Sequence, residues 1–282
     1  MNRRWTKLEQ SFSAKRLVNR KRLWTQICAS GEPFTFVAER EQFIIHTNDP
    51  VGESIFLYGE YDFQKLELAL QLLGRKNIET LVDVGANVGS ICIPAVARGF
   101  ASQSVAIEPE PTNFYMLTAN IELNSLQQKI RVHQNAVGPV DNQNIRLELS
   151  AENFGDHRIT PTVGSPRERD STNVISMTLD TLVPNLNPST DLIFMDVQGF
   201  EKFVLDGATN AIRSRVPIVM EYFPEGIQEH CSLEDLLVVI APYSGYYDLN
   251  LPVPVFTPLE GLRDFWHGLL RGPFPFGDIL LL

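Results

Sequence analysis

The sequence predicts an α/β fold in which a mostly parallel, twisted sheet carries helices on both faces. From residue 79 onward, short apolar segments of strand length alternate with helical segments, which is typical of right-handed βαβ units. A glycine turn at residues 85–89 joins the first of these apolar segments to a helix. The chain has 282 residues, of which 44% are hydrophobic, so it can bury a large core without disulfides.

The residues ahead of this alternation predict an extension of the fold. Residues 1–30 have the pattern of a polar helix. Residues 33–58 alternate apolar and polar side chains around the turn-forming residues 48–52, which predicts extended strands as in a β-hairpin. Residues 62–74 place their apolar side chains on one helical face, and Gly74 ends this helix.

The alternating region predicts the core. Its strands span residues 81–84, 104–107, 130–134, 145–149, 174–177, 192–195 and 216–222, and its helices span residues 88–98, 111–124, 200–213 and 232–240. A polar loop of about 20 residues separates the strands that end at 149 and begin at 174, and such a length is uncommon without a function. We expect an extension over residues 1–60, a core over 61–250 and a C-terminal tail over 251–282 that packs on the core.

Cysteine usage and apolar runs bear on the compartment. The three cysteines, Cys28, Cys92 and Cys231, have no CxxC spacing, which excludes a zinc knuckle or redox pair of that kind. We infer a reducing compartment and expect a cytoplasmic location. No apolar run reaches the roughly 18 residues of a membrane span, and no apolar segment of a secretory signal follows the basic N-terminus.

Charge is distributed unevenly along the chain. Residues 1–24 contain eight basic residues and one acidic residue, whereas the whole chain has a net charge of −10. Two interpretations of the basic segment stay open: a solvated helix docked on the acidic body, or a contact with nucleic acid or an anionic membrane. The acidic body argues against extensive nucleic-acid binding, so we expect no nucleic-acid partner.

The strongest functional motif is residues 82–89, where an apolar strand runs into a glycine turn and then a helix. Gly85 and Gly89 allow the backbone to approach a ligand closely, and the helix start offers free N–H groups. Glu108 ends the next strand, where an acidic side chain suits the two hydroxyl groups of a ribose.

Two cofactor classes fit such a turn, nicotinamide dinucleotides and S-adenosylmethionine (SAM). The dinucleotide fingerprint needs glycine at its first, third and sixth positions, which here are Gly85, Asn87 and Ser90. Asp83 also disfavours a pyrophosphate, because unit charges 4 Å apart repel by about 4 kcal/mol at an effective dielectric of 20. The same carboxylate attracts the ammonium and sulfonium groups of SAM, so the sequence predicts SAM as the cofactor.

Three motifs follow one another along the chain. They are Leu81-Val82-Asp83-Val84-Gly85-Ala86-Asn87-Val88-Gly89, then Glu108-Pro109-Glu110-Pro111, then Asp196-Val197-Gln198-Gly199-Phe200-Glu201 with Leu205-Asp206-Gly207-Ala208. In order and spacing they resemble the FkbM-type methyltransferases over roughly residues 58–225. The resemblance implies a Rossmann-like class I methyltransferase fold and O-methylation of a hydroxyl on a sugar, polyketide or other secondary metabolite. Many members have Glu where this chain has Gln198, so we do not expect a general base there.

The motif and the resemblance together assign a set of residues to the cofactor. Asn113 matches the family's helix after the second acid, near the adenosine, although capping or solvation would also explain it and Asn120. In class I methyltransferases the loop after the third strand contacts the adenine, which points to Asn135 and Ala136, where a plain turn is the alternative. The expected SAM-binding residues are Asp83, Gly85, Ala86, Asn87, Gly89, Glu108, Pro109, Asn113, Asn135, Ala136 and Asp196.

Methyl transfer to oxygen requires the acceptor oxygen about 3 Å from the methyl carbon and a group that removes its proton. His157 is the first candidate, because an imidazole titrates near neutral pH and residues 153–158 resemble a stretch of the family. Asp196 is the second, because it lies at the carboxyl end of a central strand. Glu201 at a helix start and Glu221 at a strand end are further catalytic candidates, with capping or solvation as alternatives for all four. No side-chain cluster has clear metal-ligand spacing, so we expect no metal.

These observations favour a SAM-dependent methyltransferase, and most of all an O-methyltransferase for a natural product or sugar. An N-methyltransferase would share the SAM site and differ in its acceptor pocket. A SAM-fold binding module without transfer activity is the third alternative, which the intact cofactor motif disfavours, and a dehydrogenase is disfavoured by the incomplete dinucleotide fingerprint. The expected partner is a small-molecule or glycan acceptor, and the sequence is compatible with a homodimer without fixing the oligomeric state.

Overall fold

The computed structural model describes residues 7–29, 34–37, 40–47, 49–150, 155–160, 170–273 and 275–282. Its strands are β1 (Phe34–Val37), β2 (Gln42–Ile45), β3 (Ile78–Val84), β4 (Ala101–Ile107), β5 (Ile130–His133), β6 (Ala136–Val137), β7 (Gln143–Glu148), β8 (Arg158–Thr160), β9 (Ser171–Met177), β10 (Leu192–Met195), β11 (Ile218–Tyr222), β12 (Gly245–Asp248), β13 (Phe256–Pro258) and β14 (Gly277–Leu281). Its α-helices are α1 (Lys7–Cys28), α2 (Pro50–Tyr58), α3 (Phe63–Leu72), α4 (Cys92–Ala97), α5 (Pro111–Leu123), α6 (Leu179–Leu182), α7 (Glu201–Asp206), α8 (Thr209–Ser214), α9 (Pro224–Gln228), α10 (Leu233–Ile240) and α11 (Leu262–Arg271).

The central sheet has eight strands in the order β13-β12-β14-β11-β10-β3-β4-β5. The strands from β11 to β5 in this order are parallel, whereas β14 is antiparallel to both β11 and β12. The chain winds outward in opposite directions from β3 and β10, so the ligand crevice of an open α/β sheet falls at their carboxyl ends. The predicted Rossmann-like, mostly parallel α/β fold is confirmed.

Helices cover both faces of this sheet, and each face has its own buried cluster. One cluster includes Val204, Leu236 and Trp266 from the helices that follow β10, and the other includes Ile55 and Leu117 from helices α2 and α5. The central strands are buried on both sides, which explains why they form nearly continuous apolar runs in the sequence. No helix in the described ranges is both long enough and apolar enough to cross a bilayer.

A four-stranded second sheet, in the order β6-β9-β7-β8, occupies the region that the sequence predicts as two strands and a long loop. Strands β7 and β9 match the predicted strands at 145–149 and 174–177 and are antiparallel neighbours. The predicted loop contains a third strand, β8, within residues 155–160. Residues 151–154 and 161–169 of this loop lie outside the described residues.

Residues 50–58 form helix α2, so the prediction of an extended strand through Ile55 and Leu57 is wrong. The side chain of Asp49 accepts a hydrogen bond from the Gly52 N–H at 2.8 Å, and Pro50 occupies the first helical position. These are helix-start signals, which the sequence analysis took for a turn. The hairpin itself is confirmed further upstream, where β1 pairs with β2.

Two further differences concern the C-terminal half. The single helix predicted over residues 200–213 is broken into α7 and α8 at Gly207, where a Cβ atom would lie 2.1 Å from the carbonyl oxygen of Gly138. The tail, to which the sequence assigned no elements, supplies α11 and two strands of the central sheet. Strand β14 inserts between β11 and β12 and thereby completes the sheet beside Glu221.

Candidate active site

Two cavities open at the carboxyl ends of β3, β4 and β10. The first, of about 560 Å³, is lined by nine of the predicted site residues: Gly85, Asn87, Glu108, Pro109, Asn113, Asn135, Ala136, His157 and Asp196. The second, of about 590 Å³, is lined by five of them: Asp83, Gly85, Ala86, Asn87 and Asp196. Both cavities share Gly85, Asn87, Gly155, Asp196 and Gln198, which therefore mark their junction. Gly89, Glu201 and Glu221 line neither cavity.

The two glycines of the turn are required for different structural reasons. Gly85 has φ +83°, and a Cβ atom there would lie 2.0 Å from the carbonyl oxygen of Asp196. It therefore brings the ends of β3 and β10 into close contact at the junction of the cavities. Gly89 has φ +92°, and its Cβ would lie 2.5 Å from Ile93 Cδ1, so this glycine serves helix packing.

Asp83 is buried at the end of β3 and lines the second cavity. Its Oδ2 atom accepts a hydrogen bond from the Cys92 N–H at 3.1 Å, so it caps the first residue of α4. The Cys92 N–H, one of the helix-start groups expected to be free for a ligand, is therefore already hydrogen-bonded within the protein. Burial raises the pKa of Asp83 to about 7, and a cationic ligand beside it would favour the ionised form.

Glu108 is held rigidly at the end of β4. Its Oε2 accepts from the Asn87 N–H and its Oε1 from the Glu110 N–H, both at 2.9 Å. Each carboxylate oxygen keeps the capacity to accept a further hydrogen bond, as two neighbouring hydroxyl groups would require. Burial raises the pKa of Glu108 to about 7.

The two asparagines of α5 have separate positions. Asn113 lines the first cavity, and its backbone N–H donates to Glu110 Oε2 at 2.7 Å at the start of the helix. Asn120 is fully buried and donates from Nδ2 to the carbonyl oxygens of Ile44 and Val88. Asn120 therefore fastens β2 and the glycine turn to α5, which is the structural alternative considered for it.

The far end of the first cavity is formed by the segment after β5. Asn135 donates from Nδ2 to the Ile175 carbonyl at 3.2 Å, and Ala136 pairs with Ser176 in the second sheet. Pro109 lines the same cavity from the end of β4.

At the junction of the cavities, Gln198 connects two carboxylates. Its Nε2 donates to Asp196 Oδ1 at 2.7 Å and approaches Glu221 Oε2 at 3.3 Å. Gln198 has φ +56°, a left-handed conformation that costs a non-glycine residue free energy and recurs at functional sites. Gln198 cannot act as a base, and no sequence signal indicates its bridging position.

The carboxylates at this junction are poorly solvated and close to one another. Burial, followed by the Asp196 charge, raises the pKa of Glu221 well above its ordinary value. Burial likewise raises the pKa of Asp196. Lys65 supplies the nearby positive charge and forms ion pairs with Asp62 at 2.8 Å and Asp278 at 2.6 Å. Asp196 and Glu221 therefore favour the protonated form more strongly than ordinary carboxyl groups do.

His157 lines the first cavity, and its hydrogen bonding fixes its tautomer. Its Nδ1 accepts from the Ser150 N–H at 3.0 Å. A neutral imidazole bonded in this way carries its proton on Nε2. That nitrogen is then a donor, which makes the ring a poor acceptor for the proton of an alcohol.

Glu201 is fully buried at the start of α7 and does not reach either cavity. Its Oε1 accepts from the N–H of Gly199 at 3.1 Å and of Val197 at 3.4 Å. The catalytic expectation for Glu201 therefore has no support in the geometry. The residue fixes the loop that carries Gln198, and burial raises the pKa of its carboxyl to about 7.

The second cavity also contains residues that the sequence analysis missed. Tyr61 and Asp62 line it from the turn before α3, and Val51 from the start of α2. No motif marks these positions, because they reach the site only through the packing of the N-terminal helices on the sheet. Within the described ranges, no three His, Cys, Asp or Glu side chains are arranged to hold a metal ion.

Sequence comparison assigns the chain to a family. The pattern of the methyltransferase FkbM domain matches residues 83–241, which is more than half of the chain and contains the last two residues of β3 and the whole of β4, β10 and β11. A comparison with curated proteins gave no match.

Solved structures similar to the chain include several methyltransferases. The methyltransferase FkbM of Methylobacillus flagellatus KT is 16% identical with a TM-score of 0.48, and the alignment covers 82% of this chain and 52% of that one. The tRNA (uracil-54, C5)-methyltransferase of Pyrococcus abyssi, in complex with S-adenosyl-L-homocysteine, is 14% identical with a TM-score of 0.41, covering 89% and 44%. P. horikoshii TYW2 in complex with MeSAdo is 13% identical with a TM-score of 0.37, and the alignment covers 89% of this chain and 70% of that one. The chain thus spans about half the length of the first two proteins.

Proposed function

Since the chain belongs to the FkbM family of SAM-dependent methyltransferases, we propose that it transfers the methyl group of SAM to a hydroxyl group of a small molecule or glycan. One observation supports oxygen rather than nitrogen as the atom that accepts the methyl group. Asp196 lies where the cavities meet, held by Gln198, whose amide also reaches the buried Glu221, and such a carboxylate can both orient a hydroxyl and accept its proton.

We propose that SAM spans both cavities. Its adenosine occupies the first, with the ribose hydroxyls on Glu108 and the adenine near Asn135 and Ala136. Its methionine part extends into the second, where the carboxylates of Asp62 and Asp83 attract the ammonium group. The sulfonium then lies at the junction, within reach of Asp196.

For the base we propose Asp196 ahead of His157. Burial raises the pKa of Asp196, and a carboxylate with a raised pKa accepts a proton from an alcohol more readily than an ordinary carboxylate does. The Nδ1 atom of His157 is already engaged by Ser150, so His157 fits better as a donor that orients the acceptor or the cofactor. Glu221 lines neither cavity and is tied to Asp196 by the Gln198 amide, which donates to both carboxylates, so we assign it to the positioning of Asp196.

The release of S-adenosylhomocysteine tests this proposal. The protein is incubated with SAM and with matched pairs of acceptors, each pair comprising an alcohol and the corresponding amine on the same sugar or aliphatic carbon frame. We expect release with members of the alcohol set and none with their amine counterparts. Release confined to amines would reject O-methylation and favour N-methylation at the same SAM site.

A further inference from the structure

An exposed apolar surface lies beside the proposed acceptor site. It consists of Leu251, Val253, Val255, Phe256 and Phe276, which we call the apolar rim. Their side chains are 46%, 76%, 64%, 42% and 48% exposed, respectively. Contiguous exposed apolar side chains on a globular protein mark a binding surface more often than chance.

The rim is continuous with the carboxyl edge of the central sheet. Leu249 ends β12 by donating its N–H to the carbonyl oxygen of Asp278 at 2.8 Å, and Asp278 faces Glu221 in the β14–β11 pairing. Leu251 follows two residues after Leu249, and Phe276 precedes the first residue of β14. Both parts of the rim therefore leave the sheet at the edge where the two cavities open.

Strand spacing gives the distance between the rim and the reacting groups. Neighbouring strands lie about 4.8 Å apart, and β12 is two strands from β11 and three from β10. The rim therefore begins roughly 10 Å from the Glu221 strand and roughly 15 Å from the Asp196 strand. A molecule with its reacting end at Asp196 would lie on the rim if an apolar chain of about eight or more carbons followed.

Between the reacting groups and the apolar rim, the protein changes from acidic to uncharged. The inner end carries Asp196, Glu221 and Asp278, whereas residues 249–256 and 272–277 contain no charged residue. Prolines at 252 and 254 restrict the loop, so it is preorganised for contact. An anionic membrane surface would be bound by basic residues, which these two segments lack.

We propose that the methyl acceptor is an amphiphile, whose hydroxylated end enters at Asp196 and whose apolar chain lies on the apolar rim. This inference rests on the proposed function, because it takes the carboxylate junction as the place of methyl transfer. It adds the chemical class of the acceptor to that function.

Binding of n-alkyl β-glucosides tests the proposal. The protein is saturated with S-adenosylhomocysteine and titrated calorimetrically with butyl, octyl, nonyl and decyl glucosides below their micelle-forming concentrations. Beyond the octyl compound we expect the dissociation constant to fall by about twofold to fourfold for each added methylene group, as for partial to full burial. Affinities that do not rise with chain length, or no saturable binding at all, would overturn the proposal.

A matched pair of variants locates the effect. Val253→Ser/Val255→Ser removes apolar surface from the rim, and Val238→Ser/Val140→Ser does so at positions of similar exposure elsewhere, 74% and 55%. We expect the first pair to weaken decyl glucoside binding at least tenfold and the second to leave it unchanged. Equal binding by both would contradict the assignment of the rim.

Three further measurements separate the alternatives. Failure to bind SAM or S-adenosylhomocysteine would reject the proposed function itself, whereas cofactor binding without chain-length dependence would reject the amphiphile alone. If the rim variant instead loses sedimentation with phosphatidylglycerol vesicles, the rim docks a membrane. If it loses a dimer in analytical ultracentrifugation, the rim docks a second copy. Either result without alkyl glucoside binding would overturn the proposal.

Discussion

Glu108 is the side chain to which we assign the ribose in the proposed SAM site, and backbone N–H groups hold both of its oxygens at the cavity wall. We predict that Glu108→Ala weakens SAM binding by roughly 1.5–3 kcal/mol, the usual cost of losing a charge-assisted hydrogen-bond acceptor. Glu122→Ala, an exposed change on α5, is the control and should leave affinity unchanged. Isothermal titration measures both, and an unaltered dissociation constant for Glu108→Ala would remove the ribose assignment.

The identity of the base is a second question at the residue scale. Asp196→Asn should lower turnover by a factor of about 10²–10⁴, whereas His157→Ala should lower it less, because its Nδ1 is occupied by Ser150. The base must be ionised to act, and burial raises the pKa of Asp196, so the wild-type rate should rise with pH above the ordinary carboxyl range. Release of S-adenosylhomocysteine against pH gives this profile.

The opposite ranking would restore the imidazole as base. A larger loss of turnover in His157→Ala than in Asp196→Asn, with SAM affinity unchanged in both, is the decisive result. A rate that stays flat from pH 5 to pH 8 would exclude Asp196 and leave positioning of the acceptor as the main contribution.

At the scale of elements, the β3–α4 turn holds the site together through Gly85. Gly59 offers a matched control, because its φ of +89° is close to the +83° of Gly85 but nothing lies within 4 Å of its Cβ position. Each Gly→Ala change carries the left-handed cost of roughly 1–2 kcal/mol. Gly85→Ala must also displace the Asp196 carbonyl, so we predict a lower melting temperature than for Gly59→Ala and a loss of SAM binding. Equal melting temperatures and intact binding would show that the close approach is unimportant.

The elements also show how far the sequence alone reaches. The core strands were predicted because burial on both faces makes them apolar throughout, and the turn and Glu108 because ligand chemistry restricts their residues. Helix α2 was missed because Asp49-Pro50 starts a helix as readily as it forms a turn. The place of β14 in the sheet depends on long-range pairing, which no local pattern records.

The candidate site also contains residues that the sequence predicts and residues that only the structure reveals. Asp83 was found because it lies in the same motif as the glycine turn, and Asp196 because it follows a short apolar segment that predicts a central strand. The bridge formed by Gln198 depends on β10 and β11 lying side by side, and Tyr61 depends on the packing of α3. Glu201 was assigned to catalysis from its position, but only the structure shows that its carboxylate faces the loop backbone.

At the scale of the whole molecule, buried carboxylates link stability to pH. Burial raises the pKa of Glu201 to about 7, from an ordinary value near 4.5. A raised pKa stabilises the fold below the unfolded value, and this contribution is lost as pH rises through about 7. Burial lowers the pKa of His46, His133 and His230, which opposes this trend, so a single variant is needed to isolate Glu201.

Glu201→Gln removes this titration while keeping the acceptor for the Gly199 N–H. We predict that the melting temperature of the variant, relative to wild type, rises between about pH 4.5 and pH 7. Glu225→Gln, an exposed change on α9, should show no such dependence. Calorimetry across this range measures both, and a constant difference for Glu201→Gln would contradict a protonated, buried carboxyl.

The central claim is that SAM lies across the two cavities with its sulfur at the carboxylate junction. A crystal structure with S-adenosylhomocysteine tests this most directly. We predict ribose hydroxyls on Glu108, the adenine beside Asn135 and Ala136, and the sulfur facing Asp196 and Gln198. A ribose away from Glu108, or a sulfur turned away from Asp196, would contradict the account.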